Sequence, residues 1–147
     1  MTETSTETET QTEHPARAAS GASMAAVRAK DKQAWLALFA EDGVVEDPVG
    51  PSVFDPAGEG HHGRQAISEF WDNTVARADS IEFIIRDSFA CGGECANVGT
   101  IRSTFGDSTM DAEGVFVYRV GDDGRIRSLR AFWEFDRAVK TVRPARA

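Results

Sequence analysis

The sequence is poor in cysteine and in long apolar runs, with two cysteines in 147 residues. A membrane-spanning helix needs about 20 consecutive apolar residues, and no segment approaches that length. The first residues are acidic and polar, unlike the basic and then apolar start of a secretory signal. Two thiols are too few for a structural zinc site, so we expect Cys91 and Cys95 to be reduced and structural. These absences predict a cytoplasmic protein without a membrane segment.

Basic residues are also scarce, because 16 Lys and Arg stand against 24 Asp and Glu and leave a net charge of −8. Nucleic acids and anionic membranes attract clustered Lys and Arg, so neither is an expected partner. The hydrophobic content of 41% is enough, at this length, for one domain with a substantial core. We assign residues 1–15 to a disordered acidic, Thr-rich tail, residues 16–137 to that domain and residues 138–147 to a flexible C-terminal tail.

Three helices are predicted in the first half of the chain. The first is an Ala-rich segment that starts near residue 15 or after residue 20 and reaches Lys30. The second begins at a cap on Asp31 and ends near Asp42-Gly43, and the third follows Gly63. Apolar residues recur at helical spacing in the last two and give each a core face: Trp35, Leu38 and Phe39, then Ala66, Ile67 and Phe70.

From residue 81 onward the apolar period changes to two, which indicates strands. One strand runs from residue 81 to a turn at Gly92-Gly93, and others cover about residues 96–105, 110–120 and 125–136. Helices followed by antiparallel strands predict an α+β fold, in which a curved sheet around the helices leaves a pocket. The residues predicted to share faces are Ile81, Phe83, Ile85 and Phe89, then Phe116, Tyr118 and Val120, then Leu129, Ala131, Trp133 and Phe135.

A short strand that ends at Asp47 carries the candidate catalytic residue. Alternation places Val45 and Asp47 on one face, so a core contact of Val45 carries Asp47 into apolar surroundings, while Glu46 faces water. Pro48 then ends the pairing. Burial raises the pKa of a carboxyl group, which suits a general base that acts on a carbon acid. Residue chemistry alone favours a plainer interpretation, a strand-to-turn junction.

Three segments carry a resemblance to a known family. They are ALFAED leading into VEDPVG (residues 37–50), AIxEFWxN after Gly63 (residues 66–73), and GRI with SLRAFW (residues 124–133). Over about residues 20 to 136 the chain resembles the ketosteroid isomerase-like members of the nuclear transport factor 2-like, or SnoaL-like, superfamily. The resemblance implies a cone-shaped α+β fold, with three N-terminal helices packed on a strongly curved, mixed but mostly antiparallel sheet that encloses an apolar pocket. It also implies a homodimer. We expect no cofactor and no metal.

The family's isomerases move a double bond next to a steroid ketone, using an Asp base and two acidic oxyanion donors. By motif, Asp47 matches the base, and Phe70 and Trp133 match aromatic pocket walls. The two donors are not matched, because their positions hold Ser23 and Phe116. We therefore predict Tyr118 as a substitute catalytic donor, with a structural tyrosine bonded to a backbone carbonyl as the alternative. The indole of Trp133 and the hydroxyl of Ser23 are weaker donor candidates. The predicted substrate-binding residues are Phe39, Phe70, Phe116, Trp133 and Ser23.

Other residues invite simpler explanations. His61-His62 is expected to be an exposed loop pair, since no third metal ligand lies at a recognisable spacing. Asp55 and Glu59 are expected to be solvated acids in a loop over residues 51–62, at one end of the domain. Apolar residues on the outer sheet face predict burial against a second copy of the chain: Ile84, Val115, Val117 and Phe132.

Three functions compete. The leading one is allylic proton transfer on a steroid or similar polycyclic ketone, with Asp47 as the base. The second is a binding protein with the same pocket, in which Asp47 only hydrogen-bonds a ligand hydroxyl. The third is a polyketide cyclase-like or epoxide hydrolase-like enzyme, for which Arg102 and Asp87 are available, although strand parity does not place them beside Asp47.

Overall fold

A computed structural model describes residues 13–145, so most of the predicted N-terminal tail lies outside the described residues. The first helix begins at Pro15, inside the segment assigned to the tail, because the His14 side chain caps it by accepting from the backbone N–H of Ala16. The helices are α1 (Pro15–Arg28), α2 (Lys32–Ala37), α3 (Gly63–Asn73) with a 3₁₀ turn at Val75–Arg77, and α4 (Phe135–Val139).

A single sheet contains all the named strands. It runs in the order β2-β1-β6-β5-β4-β3, with β1 parallel to β6 and the other neighbours antiparallel, while β7 pairs with β5. The predicted mixed, mostly antiparallel α+β cone fold is confirmed. The strands are β1 (Phe39–Glu46), β2 (His61–His62), β3 (Ser80–Cys91), β4 (Glu94–Phe105), β5 (Ser108–Val120), β6 (Ile126–Trp133) and β7 (Arg143–Pro144).

Three neighbouring irregularities bend the sheet. The register between β3 and β4 shifts after Ile85. Beside this shift, Gly99 on β4 lies opposite Gly114 on β5. A Cβ on Gly99 would collide with the carbonyl oxygen of Ile84, and one on Gly114 with that of Phe132. Side-chain-free positions let backbones approach closely, and a bulge increases the local bend. The sheet therefore curves around the helices instead of lying flat.

The hydrophobic core lies between helices α1, α2 and α3 and the inner face of the sheet. Its centre is aromatic: Trp35 packs edge-on against Phe39 at a centroid distance of 4.8 Å and against Trp71 at 5.2 Å. Arg64 at the start of α3 donates to the carbonyl oxygen of Phe39, which ties this helix to β1. Fully buried side chains at the centre are Trp35, Phe39, Val45, Ile67 and Ile126.

Three predicted elements differ from the structure. The last strand, predicted over residues 125–136, ends at Trp133, and Phe135 begins α4. The second helix stops at Ala37 rather than near Asp42-Gly43, because the carbonyl oxygen of Leu38 accepts from the backbone N–H of Ile126 and the chain continues as β1. Phe89 was predicted to share a face with Ile81. The register shift after Ile85 inverts the alternation, and Phe89 is 59% exposed.

The C-terminal segment also differs from the predicted flexible tail. Residues 135–139 form α4 and residues 143–144 pair with β5. Asp111 anchors this segment, since its backbone N–H donates to Thr141 and its carboxylate binds Arg143 at 3.2 Å. None of the helices within residues 13–145 combines the length and apolar character needed to cross a membrane.

Candidate active site

A cavity of about 400 Å³ lies between the helices and the inner sheet face. Apolar side chains from α1, α3 and strands β3 to β6 form most of its wall. Two formally charged side chains occur among the described lining residues, Asp47 and Arg77. Six of the seven residues predicted for the site line this cavity: Ser23, Asp47, Phe70, Phe116, Tyr118 and Trp133. Phe39 does not, because it is fully buried in the core against Trp35.

Asp47 follows the last residue of β1 and reaches the cavity through the alternation that its sequence predicts. Val45, two residues earlier, is fully buried, while Glu46 between them points away and pairs with Arg130 at 3.1 Å. Trp133, at the end of β6, donates its indole N–H to Oδ1 of Asp47 at 2.6 Å. The described residues give Oδ2 no hydrogen-bond partner, so this oxygen is available to a ligand.

The surroundings of Asp47 raise its pKa from 3.8 to about 6. The main cause is burial, since the apolar wall replaces the water that would stabilise the charge, and the hydrogen bond from Trp133 opposes the rise. The carboxylate is thus ionised at neutral pH and still basic enough to accept a proton from carbon. A pKa close to the pH at which the protein works is the property that general-base catalysis requires.

Tyr118 lines the same cavity as Asp47. Its hydroxyl lies 2.9 Å from Oγ of Ser23, and that Oγ also accepts the indole N–H of Trp35 at 3.0 Å. The three side chains come from β5, α1 and α2, and all three are buried. The alternative of a tyrosine bonded to a backbone carbonyl does not hold, because the partner of this hydroxyl is a serine that lines the cavity.

Burial raises the pKa of Tyr118 well above its usual value, the hydrogen bond between Tyr118 and Ser23 opposes this rise, and the negative charge of Asp47 adds to it. The phenol therefore keeps its proton throughout the range in which proteins work. A neutral phenol can donate a hydrogen bond to an oxygen of a ligand.

The loop over residues 51–60 supplies one wall residue that the sequence did not indicate, Phe54. Asp55 organises the loop by accepting the backbone N–H groups of Gly58 and Gly60, and these bonds lower its pKa. It is therefore a structural acid rather than a solvated one, whereas Glu59 is exposed. No sequence pattern indicates Phe54, since one aromatic residue in a loop rich in Pro and Gly shows no periodicity.

His61 and His62 were predicted to be an exposed loop pair, but they form β2 opposite Val44 and Val45. The ring of His61 is half-buried and lies 4.9 Å from that of Phe70. Residues 13–145 contain no group of three or more His, Cys, Asp or Glu side chains placed to hold a metal ion.

Arg102 and Asp87 lie apart from Asp47. Arg102 binds Asp111 at 2.9 Å, and Asp87 is exposed on β3, with neither side chain in the cavity wall. The arrangement that an epoxide hydrolase-like reaction would use is therefore not assembled from these residues. Cys91 is exposed and Cys95 buried, and both are free thiols that lie in different register pairs.

The protein-family model of the SnoaL-like domain matches residues 21–129 of this chain. The steroid Delta-isomerase of Nocardioides simplex is 32% identical over 117 residues, which are 80% of this chain and 88% of that protein. The crystal structure of Delta 5-3-ketosteroid isomerase from Mycobacterium sp. has a TM-score of 0.81 and 33% identity, covering 90% of this chain and 100% of that one.

RV0760c from Mycobacterium tuberculosis is another similar solved structure, with a TM-score of 0.82 and 35% identity over 90% of this chain and 98% of that chain. The same protein in complex with estradiol-17beta-hemisuccinate has a TM-score of 0.80 and covers 89% of this chain and 99% of that chain.

Proposed function

The chain belongs to the SnoaL-like family, and we propose that it binds a steroid or similar polycyclic ketone and moves a double bond by allylic proton transfer. The observation that carries the proposal is the Asp47 carboxylate, with a pKa of about 6, fixed by Trp133 at the wall of an apolar cavity that also contains the Tyr118 phenol. The steroid-acting relatives support the ligand class.

The proposed reaction needs one base and one donor. Oδ2 of Asp47 removes a proton from the carbon between the ketone and the isolated double bond, and the electron pair moves onto the ketone oxygen as a dienolate. Tyr118 donates a hydrogen bond to that oxygen while it carries negative charge. Protonated Asp47 then returns the same proton to the far carbon of the allylic system. The product is the conjugated enone, and Asp47 is a carboxylate again.

The isomerase proposal is tested by comparing the wild type with Asp47→Asn in an absorbance assay for conjugated enone formation from a Δ5-3-ketosteroid. General-base catalysis is typically worth about 10²–10⁴-fold, so we expect kcat to fall by at least about 100-fold while steroid binding persists. Glu46→Gln is the matched control, because it removes the neighbouring carboxylate on the outer side. Turnover that survives in Asp47→Asn would refute the role of Asp47 as base.

A binding protein without turnover is the second candidate. The observation that favours it is Phe116, which lines the cavity where the resemblance places a second acidic donor. An apolar ring cannot donate to an oxyanion, so the stabilisation would rest on Tyr118 alone. Saturable steroid binding to the wild type without enone formation would support this function.

We also propose that the protein is a homodimer that buries its outer sheet face. Ile84 is 37% exposed and Phe132 43% exposed, and the half-buried Val115 and Val117 lie on the same face. An apolar sheet face of this kind is suited to an isologous interface between two copies.

A further inference from the structure

The proton on the Ser23 hydroxyl has one available acceptor among the described residues. The Trp35 indole can only donate, so Oγ of Ser23 accepts this bond and still carries a proton of its own. The second polar partner of Oγ is the hydroxyl of Tyr118 at 2.9 Å. Ser23 and Tyr118 both line the cavity, so whichever hydroxyl accepts in this pair presents its own proton to the cavity. The phenol is the more acidic of the two groups and therefore the stronger donor to a ligand oxygen, which favours donation from Ser23 to Tyr118.

We infer that Trp35 and Ser23 form a donor relay that commits the Tyr118 proton to the cavity. The direction runs from the Trp35 N–H to Ser23 Oγ, from the Ser23 O–H to Tyr118 Oη, and from the Tyr118 O–H to the ligand oxygen. Successive donors polarise one another, so the relay strengthens the final bond. Ser23 and Trp35 are thus positioning residues that act through Tyr118, and this inference rests on the proposed function.

Binding of para-nitrophenol tests the relay without turnover. Its ionised form mimics the dienolate, and its absorbance distinguishes the phenolate from the phenol. The titration uses the Asp47→Asn background, in which the neutral amide stands for the protonated carboxyl group of the intermediate. We expect Ser23→Ala to weaken phenolate binding about fivefold, the typical net value of a hydrogen bond between neutral groups, and Ser23→Thr to retain it. Trp35→Phe should give a smaller loss in the same direction.

A double-mutant cycle separates the relay from a merely structural role. In a Tyr118→Phe background, Ser23→Ala should cause no further loss of phenolate binding. Tighter phenolate binding by Ser23→Ala alone would overturn the proposal, since it would mean that Tyr118 donates to Ser23 in the wild type. An equal loss in both backgrounds would also overturn it, because Ser23 would then act independently. Neither outcome depends on whether the wild type turns over a ketosteroid.

Arg77 supports a second, independent inference at the other end of the cavity. The 3₁₀ turn that contains Arg77 is held in place by the buried side chains of Val75 and Ala78. Asp79, two residues after Arg77, donates its backbone N–H to the carbonyl oxygen of Thr104 on β4. Asp79 is thereby tied to the stretch of β4 that pairs with Thr109 and Met110 on β5, eight or more residues before Tyr118. Arg77 makes no ion pair within 4.0 Å among residues 13–145, and uncharged polar side chains accompany it in the wall: Asn73, Thr74 and Ser103.

We propose that this end is a subsite for a ligand carboxylate. A polycyclic ketone with its oxygen at Tyr118 would then carry an anionic side chain towards Arg77, which a guanidinium recognises through paired N–H donors. The net charge of −8 disfavours binding of an anion elsewhere on the surface. The positive charge of Arg77 therefore distinguishes this end of the cavity as a site for an anionic group. This subsite specifies the ligand class of the proposed function and does not depend on catalysis.

The test compares a ketosteroid hemisuccinate with its neutral methyl ester in binding titrations at low ionic strength. An exposed ion pair predicts that the acid binds about fivefold more tightly, that added salt reduces the difference, and that Arg77→Gln abolishes it. Arg125→Gln, in the distant β5–β6 turn, is the matched control and should leave the difference unchanged. Equal binding of acid and ester by the wild type would refute the subsite alone. Failure of both to bind would refute the proposed ligand class as well.

Discussion

Trp133 and Asp47 are joined by a hydrogen bond of 2.6 Å that links the end of β6 to the residue after β1. The bond occupies Oδ1 and leaves Oδ2 without a hydrogen-bond partner among residues 13–145. It also favours the charged form of the carboxyl group and so limits the rise in pKa that burial causes.

Trp133→Phe should therefore raise the pKa of Asp47 further. In the wild type, kcat/KM should increase with pH through about 6, because only ionised Asp47 accepts a proton. In the variant this acid limb should move to higher pH, as measured by a pH–rate profile with a ketosteroid. Phe135→Leu changes the same cavity wall without removing a hydrogen bond, so its profile should keep the wild-type midpoint. An unmoved midpoint in Trp133→Phe would argue against the role of the indole.

Asp47→Asn should stabilise the protein at alkaline pH. The folded-state pKa of about 6 lies above the ordinary 3.8, so the native state binds more protons than the unfolded state between these values. The free energy of unfolding therefore falls as pH rises from about 4 to about 6, and the loss persists above. Thermal unfolding should show a higher Tm for Asp47→Asn than for the wild type at pH 8, and equal values at pH 4. A variant with the same Tm as the wild type at both pH values would contradict the assigned pKa.

Tyr118→Phe should lower kcat and leave KM nearly unchanged. The phenol bonds most strongly to the charged dienolate, so its loss raises the transition state more than the bound ketone, by about 100-fold in rate. Steady-state kinetics with the ketosteroid measure both constants. If KM rose and kcat stayed constant, Tyr118 would be a binding group only.

Phe132→Glu should dissociate the proposed homodimer. A charge in the centre of an apolar two-fold interface faces its own copy and loses water, which opposes association. Light scattering at micromolar concentration should give the dimer mass for the wild type and the monomer mass for the variant. Val53→Glu, at a more exposed apolar residue on the 51–60 loop, should remain dimeric. A monomeric wild type would refute the proposal.

The sequence predicted the placement of Asp47 because alternation along a short strand is a local property. Val45 and Asp47 share a face whatever the rest of the chain does, and the same parity placed Phe116 and Tyr118 in the cavity. The motif resemblance added the aromatic wall at Phe70 and Trp133. These features depend on residues close together in the chain.

The predictions that the structure contradicts failed because contacts between residues distant in the chain overrode the local pattern. Phe39 fits a helical pattern with Trp35, but pairing with β6, which is distant in the chain, makes it the first residue of β1 and part of the core. The register shift after Ile85 inverted the face of Phe89, and it occurs where Gly99 pairs with Ile85 and the two backbones approach closely. The bond between Trp35 and Ser23 joins two helices whose relative position no local pattern specifies.

The parallel pairing of β1 with β6 has a consequence for the newly made protein. Asp47 is synthesised early, but the tryptophan that orients it and the strand that flanks it come from residues 126–133, near the end of the chain. A growing polypeptide that has not yet added this last long strand cannot hold Asp47 in place. The proposed isomerase activity would therefore report completion of the sheet during synthesis or refolding, and should emerge only when β6 has docked beside β1.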